Sequence, residues 1–127
     1  MWIDKIEGTE GLERIFDGED IENNVNVRKA SLENSTLNLF FDLGCWPSKP
    51  PEKWVQQQAN TVYCQLSLIG FNELVLKDWV PDNVGEFRIK RQDNGGLFVQ
   101  FVTKSGVYIS CICLEAQITK ISAYKNA

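Results

Sequence analysis

The feature that most restricts the fold of this chain is a series of eight short apolar or alternating segments separated by turn residues. In residues 37–43, every second position is leucine or phenylalanine, as in a strand with one buried face. Residues 93–96 (Asp-Asn-Gly-Gly) and 105–106 (Ser-Gly) tolerate positive φ and predict hairpins, and residues 34–35 are a weaker turn. Such short links favour antiparallel pairing of consecutive strands. The predicted strands are 25–27, 37–43, 62–68, 74–76, 87–91, 97–102, 107–114 and 118–124.

The amino end predicts one short helix. Thr9 is suited to the N-cap, and Gly18 can end the helix in a left-handed conformation. Three apolar residues form a single stripe, which is too little to support an isolated helix: Leu12, Ile15 and Phe16. We therefore expect a mainly β (α+β) fold in one domain, residues 1–127. It has about eight antiparallel strands in a curved or two-layer sheet, with one short N-terminal helix.

Residues 44–60 interrupt the strand pattern with three prolines and two tryptophans, Trp46 and Trp54. A structureless connection of this length is uncommon in a compact domain and is often functional. The sequence leaves two interpretations open. Either a tryptophan folds back over an open end of the sheet, or it serves as an apolar anchor for a partner.

The chain contains no histidine, which removes the commonest side chain for proton transfer near neutral pH and for catalytic metals. It also has no glycine-rich phosphate loop. The four cysteines do not have zinc-site spacing, and we expect reduced thiols that act as small apolar side chains. The acidic run in residues 17–22 lacks the glycine and the terminal glutamate of a calcium loop. We therefore predict no cofactor and no metal.

The charge of the chain is concentrated at one end. The formal net charge is −4, and residues 1–33 hold nine acids against four bases. An acidic protein is a poor ligand for nucleic acid and for anionic membranes, but it suits a basic protein partner. No continuous apolar segment is long enough to span a membrane, and the first residues do not have the pattern of a signal peptide. These features predict a cytoplasmic location.

Several features together resemble one known family. They are an opening segment, a short helix, an alternating strand, a loop with proline and tryptophan, and a closing strand. The matching positions are Trp2, 6–8, Leu12, 15–16, 37–41, Pro50, Trp54, 62–68, 71–76 and 107–113. Over nearly the whole chain this layout resembles the bacterial polymorphic-toxin immunity proteins of family fifty (Immunity protein 50).

The resemblance implies a non-enzymatic toxin inhibitor that binds a cognate toxin protein, with nucleases among the candidate toxins. Basic active sites of such toxins would attract an acidic inhibitor. Two alternatives stay open, a small-molecule-binding β-rich domain and an enzyme that uses carboxylates or a thiol. The oligomeric state is open as well, because exposed strand edges would permit two copies to pair. The residues that we expect to bind the partner are Asp17, Glu19, Asp20, Glu22, Trp46 and Trp54.

Overall fold

The structure is a computed structural model that describes all residues from Met1 to Ala127. It is mainly β, and all eight predicted strands are present. A 3-10 helix at Trp2–Lys5 precedes helix α1 (Glu10–Phe16), and helix α2 (Glu52–Gln56) lies between the second and third strands. The strands are β1 (Val25–Glu33), β2 (Thr36–Leu43), β3 (Thr61–Ile69), β4 (Asn72–Lys77), β5 (Asn83–Arg91), β6 (Leu97–Thr103), β7 (Tyr108–Cys113) and β8 (Glu115–Tyr124).

The strands form a single antiparallel sheet in the order β4-β7-β6-β5-β1-β2-β3-β8, with β4 and β8 as its open ends. In a flat sheet of this order, β7 and β8 would lie roughly 29 Å apart, because six strand spacings of about 4.8 Å separate them. Only Leu114 joins β7 to β8, and two Cα–Cα steps span at most roughly 7 Å. The sheet must therefore curve strongly enough to bring the end of β7 close to the start of β8, although it does not close. At the corner, the Leu114 amide donates a hydrogen bond of 2.9 Å to the carbonyl of Ile69.

The predicted turns are correct for three hairpins. Residues 34–35 join β1 to β2, residues 93–96 join β5 to β6, and the Ser-Gly turn joins β6 to β7. The expectation that a short link joins paired strands is wrong for β3 and β4. Only Gly70 and Phe71 separate these strands, yet they do not pair with each other. Gly70 has φ 68°, and the chain turns a corner there rather than a hairpin, so β4 pairs with β7 instead.

The strand predicted at residues 25–27 extends to Glu33. Its register against β2 shifts between Val27 and Lys29, so Arg28 occupies a β-bulge. A bulge reverses the alternation of faces, which hides the second half of the strand from a pattern of period two. The bulge also places Arg28 and Lys29 side by side, where a regular strand would direct them to opposite faces.

The core is one cluster of 25 buried residues drawn from the amino-terminal segment, α1, α2 and the strands. Helix α1 begins after Thr9 as predicted and buries Leu12 and Phe16. Gly18 is left-handed as predicted, with φ 81°, and because Asp17 before it is left-handed as well, with φ 46°, the last helical residue is Phe16. Trp2 stacks on Phe87 with ring centroids 5.7 Å apart, so the amino-terminal segment closes the core near β5. None of the helices combines the length and the apolar composition that a membrane crossing requires.

Candidate partner-binding site

The four predicted acids lie in the acidic segment, residues 17–24, which connects α1 to β1. Three contacts fix the path of this segment. Ile21 is 2% exposed and belongs to the core, and its carbonyl accepts a 2.9 Å hydrogen bond from the indole N–H of Trp2. The Asn23 side chain donates to the carbonyl of Phe87 at 2.7 Å and accepts from the Phe87 amide at 2.9 Å. The segment is therefore held in place although most of its side chains are in water.

All four acids are exposed, and all belong to this one connecting segment. A carboxylate oxygen of Glu19 accepts a 3.0 Å hydrogen bond from the Ser48 amide, and this bond lowers the pKa of Glu19. The Cys45 thiol has a raised pKa, first because of burial and then because of the charges of Glu22, Asp20 and Glu19. Three of the carboxylates therefore lie close enough to Cys45 for their charges to act on it.

The tryptophan segment, residues 44–60, lies beside the acidic segment through the contact between Glu19 and Ser48. The prediction that this segment has no regular structure is wrong, because α2 occupies Glu52–Gln56. A helix of five residues gives no periodic signal, and the prolines before it suggest a loop. Pro51 is the N-cap of α2, and the helix places Trp54 in the core.

The two tryptophans have different positions. Trp54 is 9% exposed, and its ring centroid lies 5.7 Å from that of Trp46. Trp46 is half-buried and packs on the edge of the core. Trp54 therefore covers part of the core and supports Trp46, which lies two residues before Ser48, the residue that contacts Glu19. Of the six predicted residues, five are at least partly accessible and Trp54 lies in the core.

The region is not purely acidic. Lys49 lies near Glu19, and its charge contributes to the lowered pKa of that carboxyl. Lys49 is exposed, so water screens its charge. The surface that results has exposed carboxylates on a fixed backbone, one nearby ammonium group and one indole ring that packs on a second.

Neither alternative function gains support from the geometry. A ligand inside the curved sheet would need space that the core cluster already fills. A hollow of about 820 Å³ is an open groove in which two of eleven lining residues are hydrophobic, whereas small-molecule sites are mostly apolar. A catalytic thiol needs a lowered pKa and access, but burial raises the pKa of Cys64 to about 12. A hydrogen bond from Cys111 lowers the pKa of Cys113, yet Cys113 is 1% exposed.

The sequence did not reveal the residues that hold the site. Asn23 looks like an ordinary loop residue, and its partner Phe87 is 64 positions away in the chain.

Asp42 was also not selected from the sequence. It is 6% exposed on the outer face of β2, where it meets Arg28 and Tyr124. A signal for Asp42 was present, because a lone acid inside a strand rich in leucine and phenylalanine needs a partner when it is buried.

Comparison with known proteins gives one family. The family model described as Immunity protein 50 matches residues 8–124 of the chain. This match includes α1, the acidic segment, the tryptophan segment and all eight strands. The chain matches no curated protein and no solved structure.

Proposed function

This chain belongs to the Immunity protein 50 family, and from that premise we propose that it is a non-enzymatic inhibitor that binds and neutralises a cognate bacterial toxin. The observation that carries the proposal is the fixed acidic segment beside Trp46. The backbone that carries its carboxylates does not have to be ordered when a partner binds, because Trp2 and Asn23 already hold it. Such preorganisation reduces the entropy cost of binding.

The proposed interface combines two kinds of contact. Asp17, Glu19, Asp20 and Glu22 steer a basic partner and set its orientation through long-range attraction. Trp46 supplies apolar contact area, and an indole that is already packed on Trp54 loses little freedom on binding. Trp54 acts through Trp46.

The surface suits a toxin with a basic active site, and a nuclease is the toxin class that we propose. Nucleases bind the phosphates of nucleic acid through lysine and arginine. Carboxylates of an inhibitor that occupy the positions of those phosphates compete for the same side chains. In this proposal the protein acts in the bacterial cytoplasm, where the nucleic acid substrate lies. It needs no cofactor, and it binds neither nucleic acid nor membrane because of its own negative charge.

The test of this proposal begins with capture of the partner. The tagged protein is incubated with lysate of cells that express the neighbouring reading frames, and bound proteins are identified by mass spectrometry. We expect one stoichiometric partner that stops growth when it is expressed alone and that is harmless when it is co-expressed with this chain. Failure to recover such a partner when the neighbouring frames are demonstrably expressed would contradict the proposal.

A further inference from the structure

Asp42 is a buried carboxylate in which only one of the two oxygen atoms has hydrogen-bond partners. Its Oδ2 atom accepts a 2.9 Å hydrogen bond from the Tyr124 hydroxyl and a 3.3 Å bond from Nη1 of Arg28. The same Nη1 atom donates to the Tyr124 hydroxyl at 2.7 Å. The Oδ1 atom of Asp42 has no hydrogen-bond partner, and it is the one buried side-chain polar atom of the chain in that condition.

An unpartnered buried oxygen needs a physical reason, because folded proteins satisfy nearly all such groups. The Asp42 side chain is 8% exposed, so water reaches it poorly. A carboxylate oxygen only accepts hydrogen bonds, so the missing group must be an N–H or O–H donor. The strongest donor for a carboxylate is a cationic one.

Asp42 also lines an open hollow of about 230 Å³. Its polar lining consists of Asn24, Asn26, Asp42, Gly44, Thr61 and Asn126, and no lysine or arginine lines it. Nearby, Nδ2 of Asn26 donates to Asp82 at 3.1 Å. Arg28 is the one cation within ion-pair distance of both carboxylates, since its Nη1 lies 3.3 Å from Asp42 and its Nε lies 3.9 Å from Asp82.

The hollow is continuous with the proposed toxin interface. Asn24 is the last residue of the acidic segment, and Gly44 is the first residue of the tryptophan segment. The two residues lie in close contact, since a Cβ atom added to Gly44 would clash with the carbonyl oxygen of Asn24. A partner seated on the acids and Trp46 therefore reaches the rim of the hollow.

We propose that this hollow is a subsite for one cationic side chain, an arginine or a lysine, whose N–H group donates a hydrogen bond to Oδ1 of Asp42. That the cationic side chain belongs to a toxin rests on the proposed function, whereas the subsite itself is inferred from Asp42 and the hollow. Oδ1 is covered in the free protein, so a neighbouring side chain must move before the cation reaches it, and Arg28 already binds the other oxygen of this carboxylate. The incoming cation therefore competes with Arg28 for the same carboxylate.

The test uses small probes and no toxin, so that it is independent of the proposed function. Arginine amide, lysine amide and the neutral citrulline amide are titrated separately into the isotope-labelled protein, and backbone NMR shifts are recorded. We expect weak, saturable shifts confined to residues 24–26, 42–44 and 61 with one or both cationic amides, and none with citrulline amide. The stronger of the two cationic amides identifies the preferred side chain.

Two variants keep the outcome decisive. Asp42→Asn should weaken the cationic amide at least tenfold, and Arg28→Gln, which removes the competing cation, should strengthen it severalfold. Melting temperatures establish that each variant is folded, and if Asp42→Asn does not fold, Arg28→Gln alone decides. The absence of localised shifts, equal shifts with citrulline amide, or weaker binding by Arg28→Gln would each overturn the subsite. Recovery of a toxin together with a negative titration would remove the subsite and leave the proposed function intact.

Discussion

The side chain of Asn23 makes the clearest quantitative prediction, because it closes two hydrogen bonds to one backbone unit. Asn23→Ala removes the donor to the Phe87 carbonyl and the acceptor of the Phe87 amide, at 2.7 and 2.9 Å. Each hydrogen bond of this kind contributes about 0.5–1.5 kcal/mol to stability, so the variant should lose about 2 kcal/mol. For a chain of this length, that loss corresponds to a drop of roughly 7 °C in the melting temperature.

The neighbouring Asn24 provides a matched control. It is the same residue type, exposed, and makes no side-chain hydrogen bond, so Asn24→Ala should change stability by less than about 0.5 kcal/mol. Urea unfolding of both variants, followed by tryptophan fluorescence, measures the difference. If the two variants have the same midpoint and slope, then Asn23 does not hold the acidic segment in place, and the preorganisation argument is wrong.

Two further predictions concern the core and the tryptophans. Because burial raises the pKa of the Cys64 thiol to about 12 from an ordinary value of 9.0, its contribution to stability is complete below pH 9 and is lost as the pH rises towards 12. At pH 10.5 the wild type should lose about 2 kcal/mol more than Cys64→Ala in urea titrations, and identical pH profiles would refute the assignment. Trp54→Ala should cost about 3–5 kcal/mol of stability through the cavity it leaves, as measured by urea unfolding. Trp46→Ala should cost clearly less stability and should instead speed dissociation of the captured toxin. If Trp46→Ala cost more stability and Trp54→Ala sped dissociation, Trp46 would be the core residue and Trp54 the partner contact.

Much of the fold follows from local patterns. Alternating residues such as those in β2 report which face is buried, and the turns that contain Gly95 and Gly106 report where a hairpin closes. The order of the strands does not follow, because the corner at Gly70 and Leu114 looks like any short link until the whole sheet is assembled. The bulge at Arg28 likewise hides the second half of β1.

The candidate site likewise has features that the sequence predicts and features that it does not. The acids and tryptophans could be selected from the sequence, because charged and aromatic residues in connecting segments are unusual for core packing. That the acidic segment lies against the tryptophan segment could not be predicted, since the bond from the Ser48 amide to Glu19 joins residues 29 positions apart. The burial of Trp54 depends on α2, which is too short to produce a helical periodicity in the sequence.

The most direct test of the account is the rate at which the captured toxin associates with a charge-reversed variant. Replacing Asp17, Asp20 and Glu22 with lysine leaves Glu19 in place to accept the Ser48 amide and changes the formal net charge from −4 to +2, because each replacement adds two units. The matched control replaces three exposed acids elsewhere: Glu33, Glu73 and Asp93. Glu73 is left-handed, with φ 53°, as Asp17 is with φ 46°, so the two variants carry similar backbone costs.

Both variants have the same net charge, so a difference between them reports position alone. We expect the variant in the acidic segment to associate about tenfold or more slowly at low salt, with a flatter dependence on ionic strength. The control should retain the wild-type rate within about twofold, because steering depends mainly on charges near the interface. Equal association rates for the two variants would contradict the claim that this segment receives the toxin.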